Sequence, residues 1–163
     1  MVFTNLLEEF PLTNEAVSAE RRKLYQAALN GDWKSVEGTP NFQRKITNKG
    51  ETALHVAAAA KHEDCVKNLV KKFDLTAVND IGNTALTYAA ATGNVNIAKA
   101  MLEENSSLAN LGRKKPLLMA ASLGHSEMVE YLYERTEVQE WGDNERAELF
   151  ITCVEGNLYG KHK

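Results

Sequence analysis

The chain has 163 residues, enough for one domain, and 44% of them are apolar, enough to build a packed core. Its 19 Lys and Arg stand against 22 Asp and Glu, a formal net charge of −3, which argues against general nucleic-acid binding, since that wants a basic surface. The longest apolar stretches fall far below the ~18–20 residues of a membrane span, and Met1 to Phe10 carries Glu8 and Glu9 but no basic residue, so it does not read as a signal peptide.

Residues 1–20 show no periodic pattern. Pro11 and the polar run from Thr13 to Glu20 read as a loose arm placed to cover the open end of the first repeat. A helical entry is predicted at Arg21-Arg22-Lys23, and a short second helix at Asp32-Trp33-Lys34-Ser35-Val36. Gly38-Thr39-Pro40 stops that helix, because Pro lacks the N–H and restricts the residue before it. The link to Ile46 reads as loop.

Next comes Gly50-Glu51-Thr52-Ala53-Leu54-His55-Val56-Ala57-Ala58. A near copy, Gly82-Asn83-Thr84-Ala85-Leu86-Thr87-Tyr88-Ala89-Ala90, lies 32 residues on, and a weaker one, Pro116-Leu117-Leu118-Met119-Ala120-Ala121, a further 31. Ala27-Ala28 and Thr152-Cys153 extend the register, and the second small residue recurs at spacings of 30, 32, 31 and 32. Gly31, Gly93 and Gly124 follow three residues after the small pair, where a helix ends in a left-handed residue; Lys61 takes that place in one copy.

After each of these positions a second helix is predicted from apolar spacing: Cys65, Val66, Leu69 and Val70; Ile97, Ala98, Met101 and Leu102; Met128, Val129, Leu132 and Tyr133. Turn-forming stretches such as Asn79-Asp80-Ile81-Gly82 close each unit. The unit is turn, short helix, tight loop, longer helix. Neither helix can bury its apolar face alone, so the period implies a stacked solenoid, all-α, with helix pairs near residues 24–36, 53–72, 85–104 and 117–134, a lone helix near 147–155, and strand-like hairpin pieces near 46–51, 78–83 and 110–115.

At this point the chain resembles the ankyrin repeat family, whose mark is a period near 33 with Thr-Pro-Leu-His-x-Ala. Thr52-Ala53-Leu54-His55-Val56-Ala57 departs from it at one position and Thr84-Ala85-Leu86-Thr87-Tyr88-Ala89 at two; Pro116-Leu117-Leu118 keeps the Pro and lacks the Thr and His. The resemblance covers residues 21–163, in units of about 21–45, 46–78, 79–109, 110–140 and an incomplete 141–163. Ile46 to His55, Leu117 to Val129 and Leu149 to Cys153 are further similar to the plant ankyrin–transmembrane proteins, in which an ankyrin array precedes a multi-helix membrane domain. That narrower resemblance implies stress or defence signalling and a cytoplasmic place, at the cytosolic side of the plasma membrane.

The ankyrin resemblance implies a non-enzymatic protein-binding module, monomeric and without cofactor or metal, that meets other proteins through a concave face. The positions it places there are Asn48, Lys49, Glu51, Ala59 and Ala60; Asp80, Ile81, Asn83, Ala91 and Thr92; then Arg113, Lys114, Ser122 and Leu123. They differ between units, as a recognition surface requires. The alternative is the cytosolic portion of a membrane-anchored signalling protein. Its support is that the last unit stops soon after Gly156-Asn157-Leu158-Tyr159, where an array should carry a polar cap.

The other chemically suggestive residues have structural readings. The resemblance gives His55 a hydrogen-bond network with Thr52 and nearby backbone. His62 and His125 stand where a polar residue caps a second helix. Cys65 and Cys153 occupy apolar helix positions and read as buried small hydrophobes. Asn105-Ser106-Ser107 matches a glycosylation acceptor and reads as loop. Lys71-Lys72 suits a helix C-terminus, whereas Arg113-Lys114-Lys115 at a hairpin tip reads as a contact patch. Glu127, Glu130, Glu134, Glu137 and Glu140 read as one solvated helix face. Neither a phosphate loop nor a nucleophile signature occurs.

Overall fold

The computed structural model describes residues 15–156. Nine α-helices follow one another in the chain: α1 Glu15–Leu29, α2 Trp33–Glu37, α3 Ala53–Ala59, α4 Glu63–Leu69, α5 Ala85–Thr92, α6 Val95–Glu104, α7 Pro116–Ser122, α8 Ser126–Tyr133 and α9 Asp143–Glu155, among the described residues. The odd-numbered helices form an inner row, each packed on the next from α1 to α9, and α2, α4, α6 and α8 form an outer row behind them.

Small residues set the spacing of the inner row. Ala57, Ala58, Ala89, Ala90, Ala120 and Ala121 are all buried, which lets α3, α5 and α7 lie close. The layer between the rows is filled by Leu54, Val66, Leu69, Leu86, Leu102, Leu117 and Leu132, all buried at the periodic positions. α2 is a single turn capped by Asp32, whose carboxylate accepts from Ser35 N at 3.1 Å, and Gly38 ends it. Pro116 opens α7 at the first helical position, where its missing N–H costs nothing.

Three expectations are corrected here. The first helix begins at Glu15, so residues 15–20 are helical and not loose arm; the rest of that arm lies outside the described residues. No strand occurs among the described residues, because each hairpin is too short for a ladder. The turns at 46–51 and 79–83 close with one rung each, Ile46 N to Glu51 O at 2.7 Å and Asn79 N to Asn83 O at 2.9 Å. The acidic series does not follow one helix: α8 ends at Tyr133, and Glu140 lies in a separate 3₁₀ turn, Val138–Glu140.

Candidate protein-interaction surface

The turns are stitched to one another by main chain. Asp80 N donates to Lys49 O at 2.9 Å and Arg113 N to Gly82 O at 2.8 Å, so the three tips stand in one line. Side chains add a second set of links from helix starts to the next tip. His55 accepts the Thr52 N–H at Nδ1 (3.1 Å), which makes Nε2 the protonated nitrogen, and Nε2 donates to Asn83 O at 3.1 Å. Thr87, at the same place one unit on, reaches Lys114 O with its hydroxyl at 3.4 Å. Leu118 follows in the next unit and has no polar group to offer. Burial holds the His55 imidazole below its usual value, so it stays neutral and keeps Nδ1 as acceptor.

Further back the units are braced through the residue at the start of each outer helix. His62 and His125 occupy N-cap positions but make no side-chain cap bond, contrary to the capping expected of them. Their Nε2 atoms instead donate to the inner helix of the preceding unit, to Leu29 O at 2.6 Å and Ala91 O at 2.9 Å. Asn94 caps α6, accepting from Ile97 N at 3.1 Å, and its amide also donates to Glu63 at 3.2 Å. Gly31 (φ +74) and Gly93 (φ +73) lie under the two imidazoles: a Cβ there would stand 2.7 Å and 2.6 Å from the ring. Lys61, with φ 62, carries a Cβ at the equivalent place, and the residue that would cover it one unit on is the smaller Asn94.

On the side of the tips and inner helices lies a cavity of about 580 Å³, open to solvent. Of the residues expected on this face, Asn48, Lys49, Glu51, Ala59, Asp80, Ile81, Asn83, Ala91 and Thr92 line it, together with Asn79, Thr87, Tyr88 and Met119. A second hollow shares Ile81, Asn83 and Met119 with it and adds Arg113, Lys114, Leu118, Glu145 and Glu148. The two form one groove across the units from 46 to 140 and onto α9. Ala60 is half-buried as the C-cap of α3; Ser122 and Leu123 are exposed at the end of α7; none of the three lines either hollow.

Lys49, Asp80, Ile81 and Arg113 are exposed, and Lys114 is half-buried. Glu51 and Asn83 are not the exposed contacts the sequence suggests: they are 1% and 7% accessible. The reason is the neighbouring unit. The Glu51 carboxylate accepts from the Thr47 hydroxyl at 2.9 Å and from the Tyr88 hydroxyl of the next repeat, whose oxygen in turn accepts from Asn79 Nδ2 at 3.0 Å. Burial and the Glu51 carboxylate push the Tyr88 phenol far up, so it remains a donor. The Asn83 amide oxygen accepts from Lys114 N at 3.1 Å. Both residues are connectors beneath the groove.

Sequence reasoning did not single out Tyr88 and Met119 as lining. They share one repeat position with Val56, beside the small pair of each unit, and that change of size at a fixed position was the available signal. The remaining suggestive residues are structural. Cys65 and Cys153 are buried free thiols, Cys65 pushed up to about 11 by burial and the nearby Asp32 charge, so it stays protonated. Asn105 starts the 3₁₀ turn Ser106–Asn110 by accepting from Ser107 N at 3.1 Å. Lys72 pairs with Glu37 on α2, and Lys115 donates to Asn110 O at 2.8 Å, which leaves Arg113 and Lys114 as the members of their cluster facing the groove. Among the described residues no cluster of His, Cys, Asp or Glu has the makings of a metal site, and no helix is long and apolar enough to cross a membrane.

A stack of paired helices, braced unit to unit and bearing a preformed groove along its tips, defines a helical-repeat binding scaffold. The family described as ankyrin repeats in three copies matches residues 14–111 and again 73–145, and the chain belongs to the ankyrin repeat family. Members of that family are protein–protein interaction modules and are generally non-enzymatic. A curated relative, Delta-latroinsectotoxin-Lt1a of Latrodectus tredecimguttatus, is 41% identical over 76 residues. That alignment covers 45% of this chain and 6% of the toxin, so the chain spans a small part of that relative's length.

Proposed function

We propose that this chain binds a partner protein through the groove formed by the tips at 48–51, 80–83 and 113–114 and the inner helices α3, α5 and α7. The observation that carries the reading is the cavity of about 580 Å³, most of whose lining comes from the variable positions of two successive repeats. Such a groove is held open by the scaffold before a partner arrives, so little ordering cost is incurred on docking. The setting we propose is plant stress or defence signalling, in the cytoplasm at the cytosolic side of the plasma membrane; the likeness of Ile46 to His55 and of Leu117 to Val129 to the plant ankyrin–transmembrane proteins supports it.

The test is co-precipitation of partners identified by mass spectrometry, with wild type, Ile81→Asp, and the Arg113→Glu, Lys114→Glu double variant side by side with melting curves. Ile81 is 60% exposed, Arg113 exposed and Lys114 half-buried, so the changes should move stability by only about 0.5–1 kcal/mol. Loss of a partner with an unchanged melting temperature is expected. Retention of every partner by both variants would remove the groove from the binding surface.

A further inference from the structure

We propose that the segment the groove accepts is an extended stretch of a partner protein carrying a bulky apolar side chain with an acidic residue beside it. This rests on the groove being the partner-binding surface and names the chemistry of what enters it.

The apolar anchor follows from the lining. Ala59, Ala91, Met119 and Tyr88 supply the walls. The Tyr88 hydroxyl is already held by Glu51 and Asn79, so the aromatic ring is what this residue offers a ligand. Ile81 stands 60% exposed at the edge, where an entering side chain would cover it. The volume, about 580 Å³, falls in the range of roughly 300–1,000 Å³ in which pockets hold sizeable groups. The second hollow continues it past Met119, and a channel running across successive units suits a linear segment.

The acidic neighbour follows from charge. Lys49, Arg113 and Lys114 line the two hollows, and none has a carboxylate within ion-pair distance among the described residues. Two of the carboxylates that line the hollows, Asp80 and Glu51, are otherwise engaged. Asp80 pairs with Lys45 at 3.2 Å, and buried Glu51 accepts from both Thr47 and Tyr88. Glu145 and Glu148 border the same hollow as Arg113 and Lys114, on its α9 side, and neither is within ion-pair distance of them. At the tips alone Lys45, Lys49, Arg113 and Lys114 outnumber Glu51 and Asp80, on a chain whose net charge is −3, which draws an acidic group to the tip side of the groove and away from Glu145 and Glu148 of α9.

Three sets of short fluorescein-labelled peptides test this, each with a single Phe or Leu in a Gly/Ser background, flanked by Glu, by Lys or by Ser. Binding to the full chain is read by fluorescence anisotropy. At low salt the Glu-flanked set should bind about tenfold tighter than the Lys-flanked set, and the gap should narrow as salt screens the charges. Arg113→Glu with Lys114→Glu should invert the order, and Ile81→Asp should weaken every set about tenfold or more, a loss of anchor contact. Equal or tighter binding of the Lys-flanked set, binding that survives Ile81→Asp, or no saturable binding by any set overturns the proposal. If Ile81→Asp still abolishes capture of a partner protein while the peptide order fails, the groove stands and this partner chemistry falls. If partner capture also ignores Ile81→Asp, the groove falls with it.

Discussion

Thr52 and Thr84 occupy the same position in successive repeats, and the structure predicts opposite outcomes when each is replaced by Val. Both start an inner helix in extended backbone, φ −94 and −83, which Val adopts without strain. The Thr52 hydroxyl lies 2.9 Å from His55 Nδ1 in a site only 4% accessible. It shares that acceptor with its own N–H, so Thr52→Val should cost about 0.5–1 kcal/mol, the lower part of the usual net value of a hydrogen bond. In the next unit the His is Thr87. Thr84 is fully buried, and its Oγ1 has no partner among the described residues. An unsatisfied buried hydroxyl costs about 1–3 kcal/mol, so Thr84→Val should stabilise by about 1 kcal/mol or more. The two variants should then differ by about 2 kcal/mol, or about 4–8 °C in melting temperature for a chain of this size. Urea unfolding followed by circular dichroism, with slopes compared to confirm that only the midpoint moves, measures the difference. If Thr84→Val destabilises as much as Thr52→Val, the orphaned hydroxyl is not orphaned and the reasoning fails.

His55→Ala should lower stability by about 1–3 kcal/mol, because it leaves Asn83 O and the Thr52 N–H without their partner, and thermal melts would register it. The folded value of His55 is held below the unfolded one near 6.5, so its contribution is complete above about pH 6.5. It is lost as pH falls from there toward the lower folded value, where the unfolded chain binds the extra proton; unfolding at pH 7 and pH 5 should show a loss in wild type that shrinks in His55→Thr. Gly93→Ala should cost about 1–2 kcal/mol for its positive φ alone, and more from the contact 2.6 Å from His125 Nδ1; adding His125→Asn, on the pattern of Lys61 and Asn94, should recover part of it. Leu54→Ala or Leu86→Ala should cost about 2–5 kcal/mol in chemical denaturation, since both are buried between the helix rows.

Much of this architecture was legible in the chain. The spacing of the small pairs, the apolar positions of each second helix, the Gly at helix ends and Pro40 after the stunted α2 all act within about a dozen residues. Their consequences are dictated by local sterics and helix period. The start of α1 at Glu15 was hidden because its first turns carry a polar sequence and helix propensity alone is a weak guide.

What the sequence by itself determined is therefore the unit and its repetition, along with which residues are large, small or polar at each repeat position. Tertiary structure decided what those residues meet. Glu51 and Asn83 read as exposed tip residues until the next unit lies over them, and then each becomes a buried connector, Glu51 under Tyr88 and Asn83 under Lys114. His62 and His125 read as caps until the preceding helix end brings a carbonyl within 2.6 and 2.9 Å. The groove belongs to no single unit, since its walls come from positions about 30 residues apart that only stacking brings together. The physical reason is one of range: helix period and turn chemistry act along the chain, whereas burial, hydrogen-bond partners and cavity shape are properties of the surface between repeats.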